Sequence, residues 1–268
     1  MNKAKKTGDQ LAQVRFLGIL QTLKEQRSVT VTELSEKFQT SEATIRRDLN
    51  WLDQQGKLNK VHGGALALEN VFETEEPNMT VKVSLNAEAK QKIGQYAAQL
   101  VVDDDFVFID AGTTTWQLVE SLKTTSASFV TNAVAHAQRL ANQGLEVAVL
   151  GGQLKPVTEA LIGTNALRNL QHYNFTKVFL GMNGISKAQG YTTPDLEEAA
   201  IKQTAIDLSQ DAYILADHSK FAKVTAVKVA DLGRACVITD ALDDSSYLDQ
   251  TIVHIASSAE FESKRNNQ

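Results

Sequence analysis

The sequence predicts an α/β protein of two domains: a small N-terminal domain of three helices and a hairpin, and a larger domain built around a mostly parallel sheet. The chain has 268 residues, enough for one small and one medium domain. Apolar residues recur at helical spacing as far as Leu52, whereas short apolar runs alternate with helical stretches from Asp103 onward. This change of pattern indicates two separately packed domains.

Leucine and valine residues at intervals of three predict a first helix, which ends near residues 26–28. Its apolar residues are Leu11, Val14, Leu17, Leu20 and Leu23. Because residues three apart are neighbours on a helix surface, we expect this helix to pack against the elements that follow it. Its predicted role is structural.

Two further short helices follow, over residues 31–38 and 40–52, and a tight turn joins them. The apolar residues of the first are Val31, Leu34 and Phe38. In the second, Ser41 is a suitable N-cap because its hydroxyl can accept from free backbone N–H groups of the first turn. The apolar stripe of the second consists of Ile45, Leu49 and Leu52. Two short helices across a tight turn, the second of them basic, form a helix-turn-helix.

The second of these helices turns a polar face away from its apolar stripe. That face consists of Ala43, Thr44, Arg46, Arg47 and Asn50. Small residues near the start of a helix allow a close approach to base edges, while arginine can bind guanine or phosphate and asparagine can bind adenine. A solvated face that carries two arginines by chance is the alternative, and this helix alone does not decide between them. The preceding helix favours DNA recognition, because it completes the helix-turn-helix.

Polar and apolar residues alternate from Lys57 to Leu68, and Gly63 and Gly64 can turn the chain between two strands. A hairpin in this place is typical of the wing of a winged helix. We therefore expect the DNA contacts to come from the basic helix, its N-cap, the wing and the start of the preceding helix. The candidates are Thr32, Ser41, Glu42, Ala43, Thr44, Arg46, Arg47, Asn50, Lys57, Lys60, His62 and Gly63.

The charge of the chain is unevenly distributed. The whole chain carries a formal net charge of −5, which by itself argues against DNA binding. Residues 1–60, however, hold seven Lys and four Arg against seven Asp and Glu, so this part carries +4 and the remainder −9. A basic N-terminal domain on an acidic body directs the molecule toward DNA through that domain alone.

Composition also indicates where the protein works and which sites it lacks. No apolar run approaches the roughly 18 to 20 residues of a membrane span, and the N-terminus lacks the apolar region of a signal peptide, so we expect a cytoplasmic protein. The single cysteine, Cys236, cannot form an internal disulfide and reads as a small buried residue. The five histidines show no metal-ligand spacing, so the sequence predicts no metal site.

Residues 69–80 predict a linker between the two domains, because they carry four glutamates and Pro77 with little periodicity. Residues 82–102 then predict one long helix, with Ile93, Ala97, Leu100 and Val101 on one side. The predicted domains are therefore 1–68 for the winged helix-turn-helix and 81–268 for the body.

Seven short apolar runs in the body predict the strands of a mostly parallel sheet that is covered on both faces. They lie at 106–109, 128–130, 147–150, 177–180, 212–216, 236–238 and 252–255. In such sheets a ligand binds beyond the carboxyl ends of the strands, so the residues that follow each run are the candidates for function.

Polar residues follow five of these runs, and we expect them to meet in one crevice. The Gly-Thr-Thr-Thr turn at 112–115 precedes a helix and offers backbone N–H groups, hydroxyls and a positive helix terminus, which suits a phosphate. An ordinary strand-to-helix turn with threonine caps is the alternative for this turn on its own. Lys155 and Lys220 can add the charges that a phosphomonoester needs. The residues suited to sugar hydroxyls are Asp110, Asn132, Asn183 and Asp217.

The motifs of both domains resemble one family. In the first domain they are S-x-x-T-I-R-R-D-L-x-x-L at 41–52, G-x-L at 56–58 and V-H-G-G-A at 61–65. In the body they are D-x-G-T-T at 110–114, T-N at 131–132, G-G at 151–152, F-L-G at 179–181, G-Y-T-T at 190–193 with Glu198 and Lys202, and D-x-S-K at 217–220. This set is similar to the signature of the DeoR family of bacterial transcriptional regulators. The resemblance implies a Rossmann-like sensor domain, akin to ribose-phosphate isomerases, that senses sugar phosphates.

Strand ends and resemblance together define the candidate effector site. Its residues are Asp110, Gly112, Thr113, Thr114, Thr115, Thr131, Asn132, Gly151, Gly152, Lys155, Asn183, Thr192, Thr193, Glu198, Lys202, Asp217 and Lys220. The segment 191–198 is expected to be a loop that closes over the sugar. The sequence thus predicts a repressor of a sugar uptake or catabolism operon that a phosphorylated sugar releases from its operator, working as a dimer or larger homo-oligomer without cofactor or catalytic site.

An enzyme is the competing interpretation. A sugar-phosphate isomerase would use the same crevice, with Asp110, Asp217 or Glu198 as the base and Lys220 as the electrostatic stabiliser. The helix-turn-helix favours the regulator, because an isomerase has no need of one.

Overall fold

The computed structural model describes residues 3–26, 28–55, 57–66, 71–72 and 79–256. The chain divides into two compact units, Met1–Val71 and Phe72–Gln268. The boundaries drawn from the sequence remain predictions, because most of the expected linker at 69–80 lies outside the described residues.

The N-terminal unit has the predicted fold of a winged helix-turn-helix. Its elements are α1 (Lys3–Gln26), β1 (Ser28–Thr30), α2 (Val31–Lys37), α3 (Glu42–Gln54), β2 (Asn59–Val61) and β3 (Gly64–Leu66). Strands β2 and β3 form the antiparallel wing hairpin, and β1 pairs with β3 on its other side. A Cβ atom at Gly64 would lie 2.1 Å from the carbonyl oxygen of Val29, so this close strand pairing requires glycine. Residues 67 and 68 of the expected wing lie outside the described residues.

The helix-turn-helix packs as its sequence pattern predicts. Ile45, Leu49 and Leu52 of α3 are buried, and the hydroxyl of Ser41 accepts a hydrogen bond from Thr44 N at 3.2 Å. A buried ion pair adds a link that apolar periodicity does not reveal: the guanidinium of Arg15 in α1 donates to both carboxylate oxygens of Asp48 in α3. This pair fixes α1 against α3.

The apolar stripe expected for α1 is partly wrong. Val14 and Leu17 are each 69% exposed, whereas Ile19 and Leu23 are buried. The reason is helical geometry: each step of three residues falls about 60° short of a full turn, so four such steps in succession cannot remain on one side. The buried side of α1 instead combines four-residue steps, and Phe16 on that side stacks on the ring of Trp51 at a centroid distance of 4.6 Å.

The C-terminal unit is an α/β fold around a seven-stranded parallel sheet, which confirms the predicted fold class. A short strand, β4 (Val71–Phe72), stands at its boundary. Its helices are α4 (Met79–Ser84), α5 (Ala87–Ala98), α6 (Thr113–Ser121), α7 (Val134–Asn142), α8 (Thr164–Leu170) and α9 (Leu196–Asp207). The strands of the main sheet are β5 (Phe106–Ile109), β6 (Ser128–Thr131), β7 (Glu146–Val149), β10 (Phe175–Gly181), β13 (Ser209–Leu215), β16 (Cys236–Thr239) and β17 (Val253–Ile255). Shorter strands are β8 (Gln153–Leu154), β9 (Leu161–Ile162), β11 (Gly184–Ser186), β12 (Gly190–Thr193), β14 (Lys223–Val224) and β15 (Val227–Ala230).

The strand order of the main sheet contains one reversal. The order is β17-β16-β13-β10-β5-β6-β7, with every neighbouring pair parallel. The chain therefore runs outward from β5 to β7, then returns to β10 on the other side of β5 and runs outward again. A crevice opens at such a reversal because the connections leave in opposite directions, and ligands of open α/β sheets bind there.

The long helix expected over 82–102 is broken. Helix α4 ends at Ser84 and α5 begins at Ala87, while Asn86 between them has a φ of 52°, in the left-handed region. Asparagine tolerates this conformation better than most residues. Its side-chain amide donates to Asp217 Oδ1 at 2.8 Å and to Ser219 Oγ at 3.2 Å. Tertiary hydrogen bonds thus replace helix continuity at this point.

The segment 191–198 is not the loop that the sequence suggests. Its first residues belong to β12, where Tyr191, Thr192 and Thr193 are buried, and Asp195 then caps α9. The Tyr191 hydroxyl donates within the core to the carbonyl oxygens of Leu232 and Ala235. A strand held in this way is part of the frame of the site rather than a closing flap.

Across the described part of the chain, no helix combines the length and the apolar character that a membrane crossing requires.

Candidate functional site

Helix α3 presents an exposed basic face. Ala43, Arg46, Arg47 and Asn50 are exposed on it, and Thr44 is half-buried beside the N-cap. Arg47 lies opposite the buried stripe of α3, at the centre of this face. Such a position suits a side chain that must reach into a groove.

A polar network at the flank of α3 orients Arg46. Arg46 Nη2 donates to Glu42 Oε2 at 2.7 Å, and the hydroxyl of Thr32 donates to Glu42 Oε1 at 3.1 Å. Glu42 therefore connects the start of α2 to the face of α3, a role that its position in the motif does not show. Because the Arg46–Glu42 pair is exposed, it contributes about 0.3–0.5 kcal/mol and a phosphate can displace it.

The wing carries its candidates at the surface. Lys57, Lys60, His62 and Gly63 are all exposed. The backbone N–H of Lys60 donates to Asp53 Oδ1 at 2.9 Å, which ties the hairpin to the end of α3. All twelve residues expected to contact DNA therefore lie on described elements of the winged helix-turn-helix, and each has at least part of its surface accessible.

A cavity of about 340 Å³ opens at the strand-order reversal of the C-terminal unit. The residues that follow β5, β10 and β13 line it, together with the α4–α5 segment. Eight of the seventeen predicted effector residues belong to its wall: Gly112, Thr113, Thr114, Asn183, Glu198, Lys202, Asp217 and Lys220. Three strand ends, rather than the expected five, thus form the crevice.

One side of the cavity is the N-terminus of α6. Gly112 stands at its N-cap position, and no side chain of the described residues caps this helix. The first N–H groups of a helix have no intrahelical acceptor and carry a partial positive charge. The turn from Gly112 to Thr114 therefore offers N–H groups and threonine hydroxyls to an anion.

Five lysines surround the cavity: Lys82, Lys90, Lys202, Lys220 and Lys223. Lys90 is only 5% exposed, and its ammonium donates to the carbonyl oxygen of Lys82. Burial lowers the pKa of Lys90; nearby Asp217 opposes that shift, while Lys220 and Lys82 add to it. A bound anion would stabilise the charged ammonium of Lys90, and the same attraction would strengthen the binding of the anion.

Behind the wall lies a buried ion pair. The Lys202 ammonium contacts Asp110 Oδ2, which also accepts from Gly181 N at 3.2 Å. Asn132 Nδ2 is 3.4 Å from Asp110 Oδ1, and Asn132 Oδ1 accepts from Ala111 N at 2.8 Å. Burial raises the pKa of Asp110, and the charge of Lys202 opposes that shift. Asp110 and Asn132 therefore hold the strand end and Lys202 in place.

Glu198 on α9 is held in a similar way. Its Oε1 accepts from Thr158 Oγ1 at 2.6 Å and from Lys155 Nζ at 2.9 Å, and Lys155 also contacts Asp195 Oδ2 at 3.1 Å. Burial would raise the pKa of Glu198, but the charge of Lys202 and the hydrogen bonds from Thr158 and Lys155 outweigh it and lower that pKa. Glu198 is thus an ionised acceptor at the cavity wall.

Nine predicted effector residues lie outside the wall: Asp110, Thr115, Thr131, Asn132, Gly151, Gly152, Lys155, Thr192 and Thr193. Several of them support residues that do line it. Thr193 Oγ1, for example, donates to Asn183 Oδ1 at 3.0 Å. The backbone N–H of Gly151 instead donates to Asn169 Oδ1 at 2.9 Å, so the residue that follows β7 contacts α8 and not the cavity.

Sequence reasoning missed six polar residues of the wall: Lys82, Asn86, Lys90, Thr158, Ser219 and Lys223. Of these residues, only Lys90 could have been identified from the sequence pattern. It lies three, four and seven residues before Ile93, Gly94 and Ala97, so it falls on the buried stripe of α5. A lysine on an apolar stripe indicates a buried cation with a partner or a ligand.

Comparison with known proteins covers both units. Residues 15–71 match the DeoR-like helix-turn-helix domain, and residues 85–241 match the DeoR C terminal sensor domain. The chain is similar to the HTH-type transcriptional regulator FruR of Bacillus subtilis, with 39% identity over 88% of this chain and 95% of that protein. It is also similar to the lactose phosphotransferase system repressor of Streptococcus mutans, with 32% identity over 86% of this chain and 92% of that protein. Among solved structures, ribose 5-phosphate isomerase A of Methanocaldococcus jannaschii covers 51% of this chain and 55% of its own, at 12% identity and a TM-score of 0.39.

Proposed function

Since this chain belongs to the DeoR family of transcriptional regulators of sugar metabolism, we propose that it represses a sugar uptake or catabolism operon and leaves its operator when a phosphorylated sugar binds. The protein then works in the cytoplasm, where both its DNA and its effector are found. One similar protein supports the proposal that this chain is a repressor, because it is named as the repressor of a lactose phosphotransferase system.

The operator-binding surface in this proposal is α3 with the wing. Arg47 and Asn50 read bases from the centre of the exposed face, while Arg46 and the wing lysines bind phosphates at its flank. One winged helix reads only a few base pairs, so a symmetric dimer or larger homo-oligomer on repeated half-sites provides the necessary affinity.

The observation that carries the effector proposal is the charge around the cavity. Its five lysines face three carboxylates, Glu198 and Asp217 in the wall and Asp110 behind Lys202, so the described residues leave a net charge of +2. A phosphomonoester carries about −1.5 to −2 at neutral pH. The N-terminus of α6 adds N–H donors without adding a formal charge.

Roles within the site follow from position. The phosphate binds at Gly112, Thr113 and Thr114 with Lys90, Lys220 and Lys223, whereas Asn183, Glu198 and Asp217 bind sugar hydroxyls. Asp110, Asn132, Lys155 and Thr193 act as positioning residues, because each bonds to a group of the wall.

Calorimetry with a panel of sugar phosphates tests the proposal. Replacing Lys220 with Met removes a charge from the cavity, and we expect at least a tenfold loss of affinity, about 1.4 kcal/mol, with operator affinity retained. Lys123→Met is the matched control, because Lys123 is exposed and does not belong to the wall. Equal binding of the effector by parent and Lys220→Met would place the phosphate elsewhere.

The geometry favours sensing over isomerisation. A general base must reach the proton it removes. Asp110, however, is enclosed by Lys202, Gly181 N–H and Asn132, and Glu198 Oε1 already accepts two hydrogen bonds. Asp217 Oδ1 likewise accepts from Asn86 and Ser219. We therefore expect the purified protein to bind sugar phosphates without converting them, and coupled assays for aldose–ketose conversion check this expectation.

A further inference from the structure

A second cavity, of about 230 Å³, adjoins the first at the start of α6. The two cavities share Lys90, Ala111, Gly112, Thr113 and Thr158 in their walls. Pockets that hold a whole small ligand measure about 300–1,000 Å³, so the second cavity by itself falls below that range. Its size and shared wall make it an extension of the first cavity.

The wall of the second cavity differs in chemistry from the lysine-rich wall of the first. Its apolar side consists of Val83, Ala87, Trp116, Ala133 and Ala135. Trp116 is half-buried, and the His136 ring meets it edge-on at a centroid distance of 5.5 Å. An indole in a cavity wall binds flat, partly apolar rings, and the C–H face of a sugar ring is one of them.

His136 contributes a buried ring to the same wall. It is 3% exposed and lines the second cavity, and its Nδ1 has no hydrogen-bond partner among the described residues. Its Nε2 lies 3.3 Å from Thr115 Oγ1. The hydroxyl proton of Thr115 is directed at the carbonyl oxygens of Asp110 and Gly112, so this oxygen can only accept from His136.

This arrangement fixes the tautomer of His136. The proton resides on Nε2, and Nδ1 is left as an acceptor. Burial lowers the pKa of His136 to about 4, so the ring is neutral at physiological pH. A buried acceptor without a partner is rare in folded proteins. Nδ1 itself has almost no accessible surface, so a ligand in the second cavity meets the neutral ring of His136 rather than this acceptor.

We propose that the second cavity is a subsite for an uncharged, hydroxyl-bearing ring, so that the effector is a phosphorylated disaccharide or glycoside whose second ring lies on Trp116. This inference rests on the proposed function, since the first cavity must hold the phosphorylated ring. The apolar wall, the indole and the neutral ring of His136 together match a neutral sugar ring, and Glu159 in the same wall disfavours a second phosphate.

Calorimetry on the full chain with ligand pairs tests the subsite. The pairs are trehalose 6-phosphate with glucose 6-phosphate, lactose 6-phosphate with galactose 6-phosphate, and sucrose 6-phosphate with glucose 6-phosphate. We expect at least one disaccharide phosphate to bind about tenfold more tightly than its hexose phosphate, because the second ring adds stacking on Trp116 and contact with the apolar wall. Hexose phosphates that bind as tightly as every disaccharide phosphate would overturn the inference and leave the proposed function intact.

Two variants test whether the second cavity causes the tighter binding of the disaccharide phosphate. Trp116→Ala and His136→Phe should each reduce the disaccharide advantage several-fold and leave hexose phosphate affinity within twofold of the parent, because neither residue lines the first cavity. An unchanged advantage in both variants contradicts the subsite. If no phosphorylated sugar of either size binds the parent protein, the proposed function fails as well.

Fluorescence provides a measurement that does not depend on removing Trp116. The chain has two tryptophans, so Trp51→Phe leaves Trp116 as the only one. We expect the emission of this variant to shift when the preferred disaccharide phosphate binds and to remain constant with the matching hexose phosphate. A shift of equal size with both ligands would mean that the second ring does not lie on Trp116.

Discussion

The two units of this protein carry their functional groups in opposite ways. The winged helix-turn-helix places the side chains expected to contact DNA outside, on one helix face and one hairpin, and among its described residues only Asp48 is a buried charged residue. The α/β unit takes charged side chains inside, where Lys90, Lys202, Asp110 and Glu198 are each less than a tenth exposed. Exposed groups on a local element can be exchanged at low cost, whereas buried charges depend on partners from distant parts of the chain. We therefore expect sharply different responses to substitution.

The largest effect should come from the buried ion pair of the α/β unit. Asp110→Ala leaves Lys202 buried without its counter-ion, and we expect a loss of about 3–5 kcal/mol in the free energy of unfolding. Trp116 fluorescence in a Trp51→Phe background measures the unfolding of this unit alone. The double variant Asp110→Leu/Lys202→Met should lose much less. A double variant as unstable as Asp110→Ala would show that packing, not charge, dominates there.

His136 should make the stability of the same unit depend on pH. Its pKa in the folded state is about 4, below the ordinary value of 6.5, so the unfolded chain binds the extra proton first as pH falls. Stability from this group is complete above pH 6.5 and declines as pH falls toward 4, by on the order of 3 kcal/mol. In His136→Phe the decline over this interval should be shallower by that amount. Parallel curves for parent and variant would contradict the neutral buried histidine.

Arg47 should have an intermediate effect, on binding rather than on stability. We expect Arg47→Ala to weaken operator binding by about 1–3 kcal/mol and to relax the preference at one base position. Arg46→Ala should instead weaken all sequences alike and reduce the salt slope by about 1. Fluorescence anisotropy on DNA that the protein selects from a random pool, at several salt concentrations, measures both. The reverse pattern would exchange the roles of the two arginines.

The smallest effect should come from Glu42. Its ion pair with Arg46 is exposed, so Glu42→Gln should change the unfolding free energy of the N-terminal unit by about 0.5 kcal/mol or less. Trp51, observed in a Trp116→Phe background, measures this unit. A loss as large as that of Asp110→Ala would remove the contrast between the two units.

The sequence predicts the elements that neighbouring residues determine and misses those that depend on distant residues. The stripe of α3, the N-cap at Ser41 and the wing hairpin were predictable because spacing within a few residues determines them. The seven strands were predictable because each contains a continuous apolar run, the pattern of parallel sheets, and the edge strand β7 keeps this pattern although most of its residues are exposed. The break at Asn86 was not, because Asp217 and Ser219, about 130 residues later, hold it.

Within the cavity, prediction from strand ends succeeded where the chain itself turns into the site, as at Gly112–Thr114 and Asp217–Lys220. It failed for Lys82, Lys90 and Thr158, which reach the wall from a helix or a connecting segment. It also placed Gly151 at the site, because sequence alone does not show that β7 lies at the far edge of the sheet. Strand order, which only tertiary pairing determines, decides which strand ends meet.

The reversal of strand order also bears on how the chain folds. Strands β5, β6 and β7 pair in sequence, but β10 must return to β5, so that Lys177 pairs with Val107 across about 70 residues. Such long-range pairing is slow relative to local pairing, and we expect it to form after each half of the sheet has its own local structure. The effector cavity lies at the seam between these halves. Effector binding therefore requires the completed seam, and the ligand will stabilise the junction that folds last.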